Sequence, residues 1–434
     1  MAVSTKLIMR STLAAAKRPA SVANGIIIMA VMVVPFLGAF AVDESGSMGR
    51  HYSYATVAIL PLGIAALWLF IRGHRPSPTV WACIGVSGAL FLSGVINGTL
   101  SNGTLLSILQ TWVMNILIAY LLTGCCRQYK ERVFIRRLAV VGVFGVLIEG
   151  WLTLGSSMHV SFKYGEEILG EGVNWNSIGI GFVSLFALLI TGVIARESPR
   201  ICAIGIAPCV IGIMLSFSRA AYIVFAFVVL GAAFSRGIHR LGNIAGTILL
   251  FTTIAAGSLW WGFQAFPGAQ EFIGNKATEA QGDLVNVRLK EKNIQPIEQW
   301  LDGDVGMLLF GDGKSTEHSV LSQSLVMTGL TGFAAMMALY LQVIARSWPL
   351  MLHAGNTGIK SAAPLWVLVP LTIGVFAQDC ASNTTNMSGF ASGLFLIAMA
   401  VLEPKVHWSH AGNRRYVLNS NGRSPGSAGV AVEL

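Results

Sequence analysis

Of the 434 residues, 54% are hydrophobic and 11% charged, and the net charge is +9, whereas a soluble domain carries about 25% charged residues. That balance excludes an ordinary water-soluble enzyme and points to a chain spent mostly on crossing a membrane. Its positive charge sits in short segments between apolar runs, so it is a topology signal and not a nucleic-acid footprint.

A helix spans the hydrocarbon core with roughly 20 apolar residues. Twelve stretches qualify, centred near residues 33, 63, 88, 114, 144, 186, 208, 228, 252, 335, 370 and 395. The expected fold class is therefore all-α: a polytopic membrane protein with about twelve transmembrane helices and one large helical loop. With the N-terminus cytoplasmic, the alternating loops place 21 of the 29 Lys and Arg on the cytoplasmic side, as the positive-inside rule requires. The other eight are Arg50, Lys163, Arg219, Lys276, Arg288, Lys290, Lys292 and Lys314. The expected divisions are a cytoplasmic N-terminus (1–20), helices one to nine (21–261), an outer loop (262–317), helices ten to twelve (318–403) and a polar cytoplasmic tail (404–434).

At the N-terminus, Lys17 and Arg18, an apolar run and the triplet Ala39-Phe40-Ala41 resemble a secretory signal. The run is too long for a usual signal core and reads as a retained first helix. Turns such as RGHRPSP and NGTLSNG join the early segments and carry only loop chemistry. Six cysteines, Cys83, Cys125, Cys126, Cys202, Cys209 and Cys380, lie in or beside apolar segments and form neither a disulfide framework nor a metal motif.

Segment five ends in LIEGW. Its Glu149 lies about one turn inside the boundary, where a carboxylate either faces a cavity or snorkels to the interface. Before segment six stands NWNSIG, in which Asn174 or Asn176 can cap the helix. Segments seven and eight meet at LSFSRAAY, a junction too short for a loop. It puts Arg219 at the outer surface, between Ser216 and Ser218 on one side and an apolar helix on the other.

The long polar loop holds a candidate helix over 283–292 with Arg288 beside Leu284, Val287 and Glu291. A second one follows, capped by Asn293, with Pro296 in its first turn and Ile297, Trp300 and Leu301 as its apolar stripe. Both read as amphipathic helices on the outer surface. The text FGDGKST imitates a P-loop, but Leu308 stands where the first glycine of that motif is required. Gly311 and Gly313 read instead as a sharp turn ahead of Glu317 and His318.

Three bases thus share the outer side: Arg219 at the tight junction, Arg288 on a loop helix and His318 at the start of segment ten. A guanidinium binds two phosphate oxygens at once and keeps its proton, and an imidazole exchanges protons near neutrality. Together they are able to clamp a pyrophosphate leaving group and take a proton from an attacking hydroxyl. The start of a helix disfavours imidazolium, which keeps His318 competent as a base.

Twelve segments, the S-x-S-R junction (Ser216, Ser218, Arg219), the loop Arg288 and the exit motif H-S-x-x-L-x-x-x-L-x-x-x-G-L-x-G (His318, Leu321, Leu325, Gly329, Leu330, Gly332) resemble the O-antigen ligase and polysaccharide polymerase superfamily of bacterial inner membranes. Asn176 fits as well, and the resemblance covers roughly residues 170–345. It implies a GT-C-like fold and metal-independent transfer of a glycan from undecaprenyl pyrophosphate to a sugar hydroxyl, with no cofactor. Carried onto this chain, it implies His318, Arg288 and Arg219 as catalytic residues and Arg219, Arg288 and Asn176 as substrate-binding ones; Lys292 in the loop and Glu149 are further substrate-binding candidates, taken from their own positions in the chain. The implied partners are an undecaprenyl-pyrophosphate-linked oligosaccharide, the lipid bilayer, and a chain-length regulator and flippase of the same pathway. The chain departs from the family pattern at Met327 and Thr328, where many relatives carry an acid. A loop of some fifty residues favours a polymerase over a ligase that transfers a finished glycan to lipid A-core. A flippase or other transporter is the reading from a different class, and it calls for broken helices and ionisable residues at mid-membrane.

Overall fold

The computed structural model describes residues 25–27, 30–31, 59–101, 103–125, 175–194, 199–216, 218–235, 241–265, 294–313, 320–357 and 365–379. Among these, every regular element is helical. The main helices are α1 (Ile59–Ile71), α2 (Pro78–Ile96), α3 (Gly103–Cys125), α4 (Trp175–Ile194), α5 (Pro199–Leu215), α6 (Arg219–Phe234), α7 (Leu241–Ala265), α8 (Gln295–Leu301), α9 (Val305–Phe310), α10 (Val320–Thr357) and α11 (Leu365–Asp379). Each apolar helix falls on an expected segment. The segments near 144 and 395 lie outside the described residues, as does most of the one near 33.

Among the described residues, four helical stretches are long and apolar enough to cross a membrane: Pro78–Ile96, Ile108–Cys125, Gly242–Gln264 and Ser322–Ala345. The apolar parts of α1, α4, α5, α6 and α11 are shorter. These are the helices of a membrane protein, and they lack the polar face that a water-exposed helix needs.

Local chemistry sets several boundaries. Gly73 turns the chain after α1 with φ of 78°. Ser77 then caps α2, its Oγ accepting from the Val80 N–H at 3.3 Å, with Pro78 in the first turn. Pro lacks an N–H, and at a helix start none is needed. Asp304 caps α9 in the same way, accepting from the Met307 N–H at 2.7 Å. The helix α8 begins behind Ile294, which makes no side-chain cap bond. The expected cap, Asn293, lies outside the described residues, and Pro296 sits in the first turn as expected.

Helices α4 to α7 and α11 pack together, and Phe186, Phe225 and Phe251 meet edge to face with centroids 5.1 to 6.2 Å apart. The antiparallel pair α6 and α11 approaches closely. A Cβ on Gly231 would stand 2.0 Å from the Trp366 carbonyl oxygen, so only glycine fits there. Helix α2 packs on α3 and antiparallel to α10, and α10 also runs along α11, joining the two groups. Near the end of the described part of α11, the Tyr340 hydroxyl of α10 donates to the fully buried carboxyl of Asp379.

Helix α10 is broken. Gly329 takes φ of 63° and ψ of −162° inside it, a left-handed conformation that disfavours any residue with a Cβ.

Candidate functional site

Two of the expected site residues stand at the starts of adjacent helices. Ser218 caps α6, accepting from the Ala221 N–H at 3.2 Å, so Arg219 is the first residue of that helix. The preceding Ser216 is buried and returns its hydroxyl to the Ile213 carbonyl at 2.6 Å. Against this junction lies Gly179 of α4, where a Cβ would stand 2.5 Å from the Ala221 Cβ and 2.7 Å from Ser216 Oγ. Since Phe186 likewise meets Phe225, α4 and α6 run parallel and begin side by side. Asn176 lies in the first turn of α4, one turn before Gly179. It is therefore inside the helix and not at its cap; Asn174 lies outside the described residues.

The geometry sets two helix N-termini beside one another with Arg219 at one of them. Unpaired N–H groups and the helix dipole make such an end favourable for anions. For Asn176 and Arg219 the description is of the backbone. Arg288, Lys292, His318 and Glu149 lie outside the described residues.

The exit motif has a definite structural role. At the break in α10 the carbonyls of Val326 and Met327 lose their helical partners. The loop supplies replacements: Asp312 N–H donates to Val326 O at 2.8 Å, and Gly313 N–H to Met327 O at 3.1 Å. Ser93 Oγ of α2 adds a bond to Met327 O at 2.6 Å. Asn97 reaches across with its Nδ2 to the Gly311 carbonyl at 3.0 Å and its own Ser93 carbonyl at 2.9 Å. Gly311 and Gly313 have φ of 71° and 69°, which agrees with the sharp turn expected of them. Each also lies where a Cβ would meet its neighbours at under 2.5 Å, the Val326–Met327 backbone for Gly311 and Thr99 Oγ1 for Gly313.

Other motif residues divide between packing and surface. Leu325 is buried, Leu330 exposed, and Gly332 sits under the Thr328 hydroxyl, which donates to the Ser324 carbonyl. Met327 and Thr328, which stand where an acid was expected, are both buried at this junction.

The turn NGTLSNG therefore does more than the loop chemistry read from it, because its Asn97 and the preceding Ser93 hold the loop to the broken helix. The available signal was their spacing: two polar residues one turn apart at the end of an apolar helix share a face. No protein-family profile matches the chain, and no curated protein matches it.

Proposed function

We propose that this protein is a glycosyltransferase that joins undecaprenyl-pyrophosphate-linked oligosaccharide units at the outer face of a bacterial inner membrane, without a metal. The observation that carries the reading is the pairing of α4 and α6. Two adjacent helix starts, with Arg219 at one and Asn176 in the first turn of the other, suit the pyrophosphate of a lipid-linked donor. Arg288 and Lys292 complete the anion site in this reading. His318 orients or deprotonates the acceptor hydroxyl, and Glu149 lies toward the substrate. The full proposal has twelve spans, both termini cytoplasmic and 262–317 as the catalytic loop.

The break in α10 is the feature that favours a carrier, since transporters expose freed carbonyls to ions at such breaks. Here the carbonyls of Val326 and Met327 are taken by Asp312, Gly313 and Ser93. That supports a static role for the break and ranks a flippase below transfer chemistry. Within transfer chemistry, the loop length favours the polymerase, with the lipid A-core ligase as alternative.

Reconstitution tests the proposal. The purified chain in vesicles with a polyprenyl-pyrophosphate-linked oligosaccharide should lengthen the lipid-linked glycan and release polyprenyl pyrophosphate. Transfer seen only when lipid A-core is added would make it a ligase. Movement of the donor across the bilayer with no new glycosidic bond would make it a carrier. A companion experiment tests sidedness: a Cys at Ser315 should react with impermeant reagent in spheroplasts while one at Ser4 does not.

A further inference from the structure

The loop helices α8 and α9 carry a surface that neither the bundle nor the proposed chemistry accounts for. At about 100° per residue, α8 divides into three arcs. Pro296 and Trp300 face the bundle, buried and half-buried, with Trp300 Nε1 donating to the Leu308 carbonyl at 3.2 Å. Gln295, Glu298 and Gln299 form an exposed polar arc. Between these lies an apolar arc that is also exposed: Ile294, Ile297 and Leu301, at 39%, 37% and 59%. Across the Asp302–Asp304 turn it continues in Val305 and Leu309, at 71% and 39%.

This apolar row does not end with the loop. The Leu309 backbone carbon would stand 2.3 Å from a Cβ on Gly329, so Leu309 adjoins the exposed Leu330 on the far side of the break. From Leu330 the exposed positions Ala334, Ala338 and Leu341 run down one face of α10, within its membrane-length stretch Ser322–Ala345. Beside it, α2 exposes Phe91, Leu92, Val95 and Ile96 near its end. A surface continuous with the outward faces of two membrane-length helices meets the same medium they do.

We propose that α8 and α9 are embedded in the leaflet at this end of the bundle, their apolar arc against phospholipid acyl chains and Glu298, Gln299 and Asp302 at headgroup level. This takes the expected amphipathic surface helix further, to an interfacial pair of the kind that sits about 5 to 10 Å into the headgroup and acyl boundary. Between Ile294 and Gly313 the chain has Glu298, Asp302, Asp304 and Asp312 and no Lys or Arg. The attachment is therefore apolar and does not need anionic lipid. The placement is independent of the reaction catalysed.

The test uses the full chain in phosphatidylcholine vesicles. Leu301→Cys, Val305→Cys and Gln299→Cys are each labelled with a polarity-sensitive fluorophore, and the unsubstituted chain, labelled in parallel, sets the background from native cysteines. Labels at 301 and 305 should be quenched by acyl-brominated lipid and spared by iodide, while the label at 299 shows the reverse. Raising the salt should leave this pattern unchanged. Quenching of 301 and 305 by iodide would place the arc in water and overturn the proposal. Shielding from both quenchers would also overturn it, showing the arc covered by protein, a second copy included. Should a labelled variant fail to fold, carbene crosslinking of the unsubstituted chain from a diazirine-bearing acyl chain decides: adducts within 294–309 are expected, and their absence there, with adducts on α2 and α10, overturns it.

Discussion

The hydroxyl of Ser93 donates to the carbonyl of Met327 at 2.6 Å across 234 residues of chain. It fastens the end of α2 to the point where α10 breaks. Met327 O keeps the Gly313 N–H as a second donor, so Ser93→Ala should lower stability by about 0.5–1.5 kcal/mol. Thermal unfolding in detergent checks this. An unchanged transition would show the bond to be dispensable, while Asn97→Leu, which also loses the Gly311 carbonyl, should cost more.

Gly329 should tolerate no side chain. Its left-handed φ of 63° and a Cβ only 2.3 Å from the Leu309 backbone act together, so Gly329→Ala should destabilise by about 2–5 kcal/mol. Gly332→Ala meets a side chain instead, with Thr328 Oγ1 at 1.8 Å. The double variant Gly332→Ala with Thr328→Ala should therefore recover only part of the loss, because the Thr328 Cβ, which alanine keeps, still stands 2.5 Å from the new one; Gly332→Ala with Thr328→Gly removes that contact too, and unfolding midpoints compare the two.

The contact of Gly179 with Ala221 separates activity from folding. Gly179→Ala sets two Cβ atoms 2.5 Å apart where ordinary contact begins near 3.4 Å, so it should push α4 from α6, and under the proposed function it should cut glycan lengthening while the protein still reaches the membrane. Gly231→Ala, facing backbone at 2.0 Å, should lower the folded yield itself. Comparing membrane yield with polymer length for the two variants distinguishes these outcomes.

Buried Asp379 depends on Tyr340. Tyr340→Phe removes one hydroxyl donor from a carboxyl group that has no solvent exposure and keeps other interactions, so the loss should be that of one hydrogen bond, about 0.5–1.5 kcal/mol. Asp379→Asn keeps an acceptor for the hydroxyl and should fall well short of that. Detergent-solubilised melting curves of the two variants give the comparison.

Under the proposed function, His318→Ala should lower the transfer rate by about 10² to 10⁴, and lipid-linked substrate should accumulate. A well-expressed His318→Asn making polymer of normal length would leave His318 as a capping residue. Arg219→Lys and Arg288→Lys should each lose activity despite keeping their charge, because an ammonium lacks the two-pronged geometry of guanidinium. Full activity in both would remove them from donor binding.

What was legible in the sequence follows from how local its causes are. The apolar helices, the Ser218–Arg219 junction and the turn glycines Gly311 and Gly313 each depend on a few neighbouring residues. The break in α10 was not legible, because LVMTGLTG reads as continuous helix until its freed carbonyls meet donors from the loop and from α2. The stripe Ile297, Trp300 and Leu301 was seen as one face. The structure divides it, turning Trp300 inward and Leu301 outward, because only tertiary packing decides which side of an apolar arc meets the bundle.

The junction at Met327 also sets a schedule for biosynthesis. Ser93 and Asn97 leave the ribosome 234 and 214 residues before their partner carbonyls, those of Met327 and Gly311, an interval of roughly 10 to 50 seconds at usual synthesis rates. Throughout that interval the polar end of α2 has to be hydrated or held by the insertion machinery. Slowed translation between α2 and α10 should therefore expose the nascent chain to quality-control proteases, and truncations ending before Val320 should be degraded faster than those ending after Leu330.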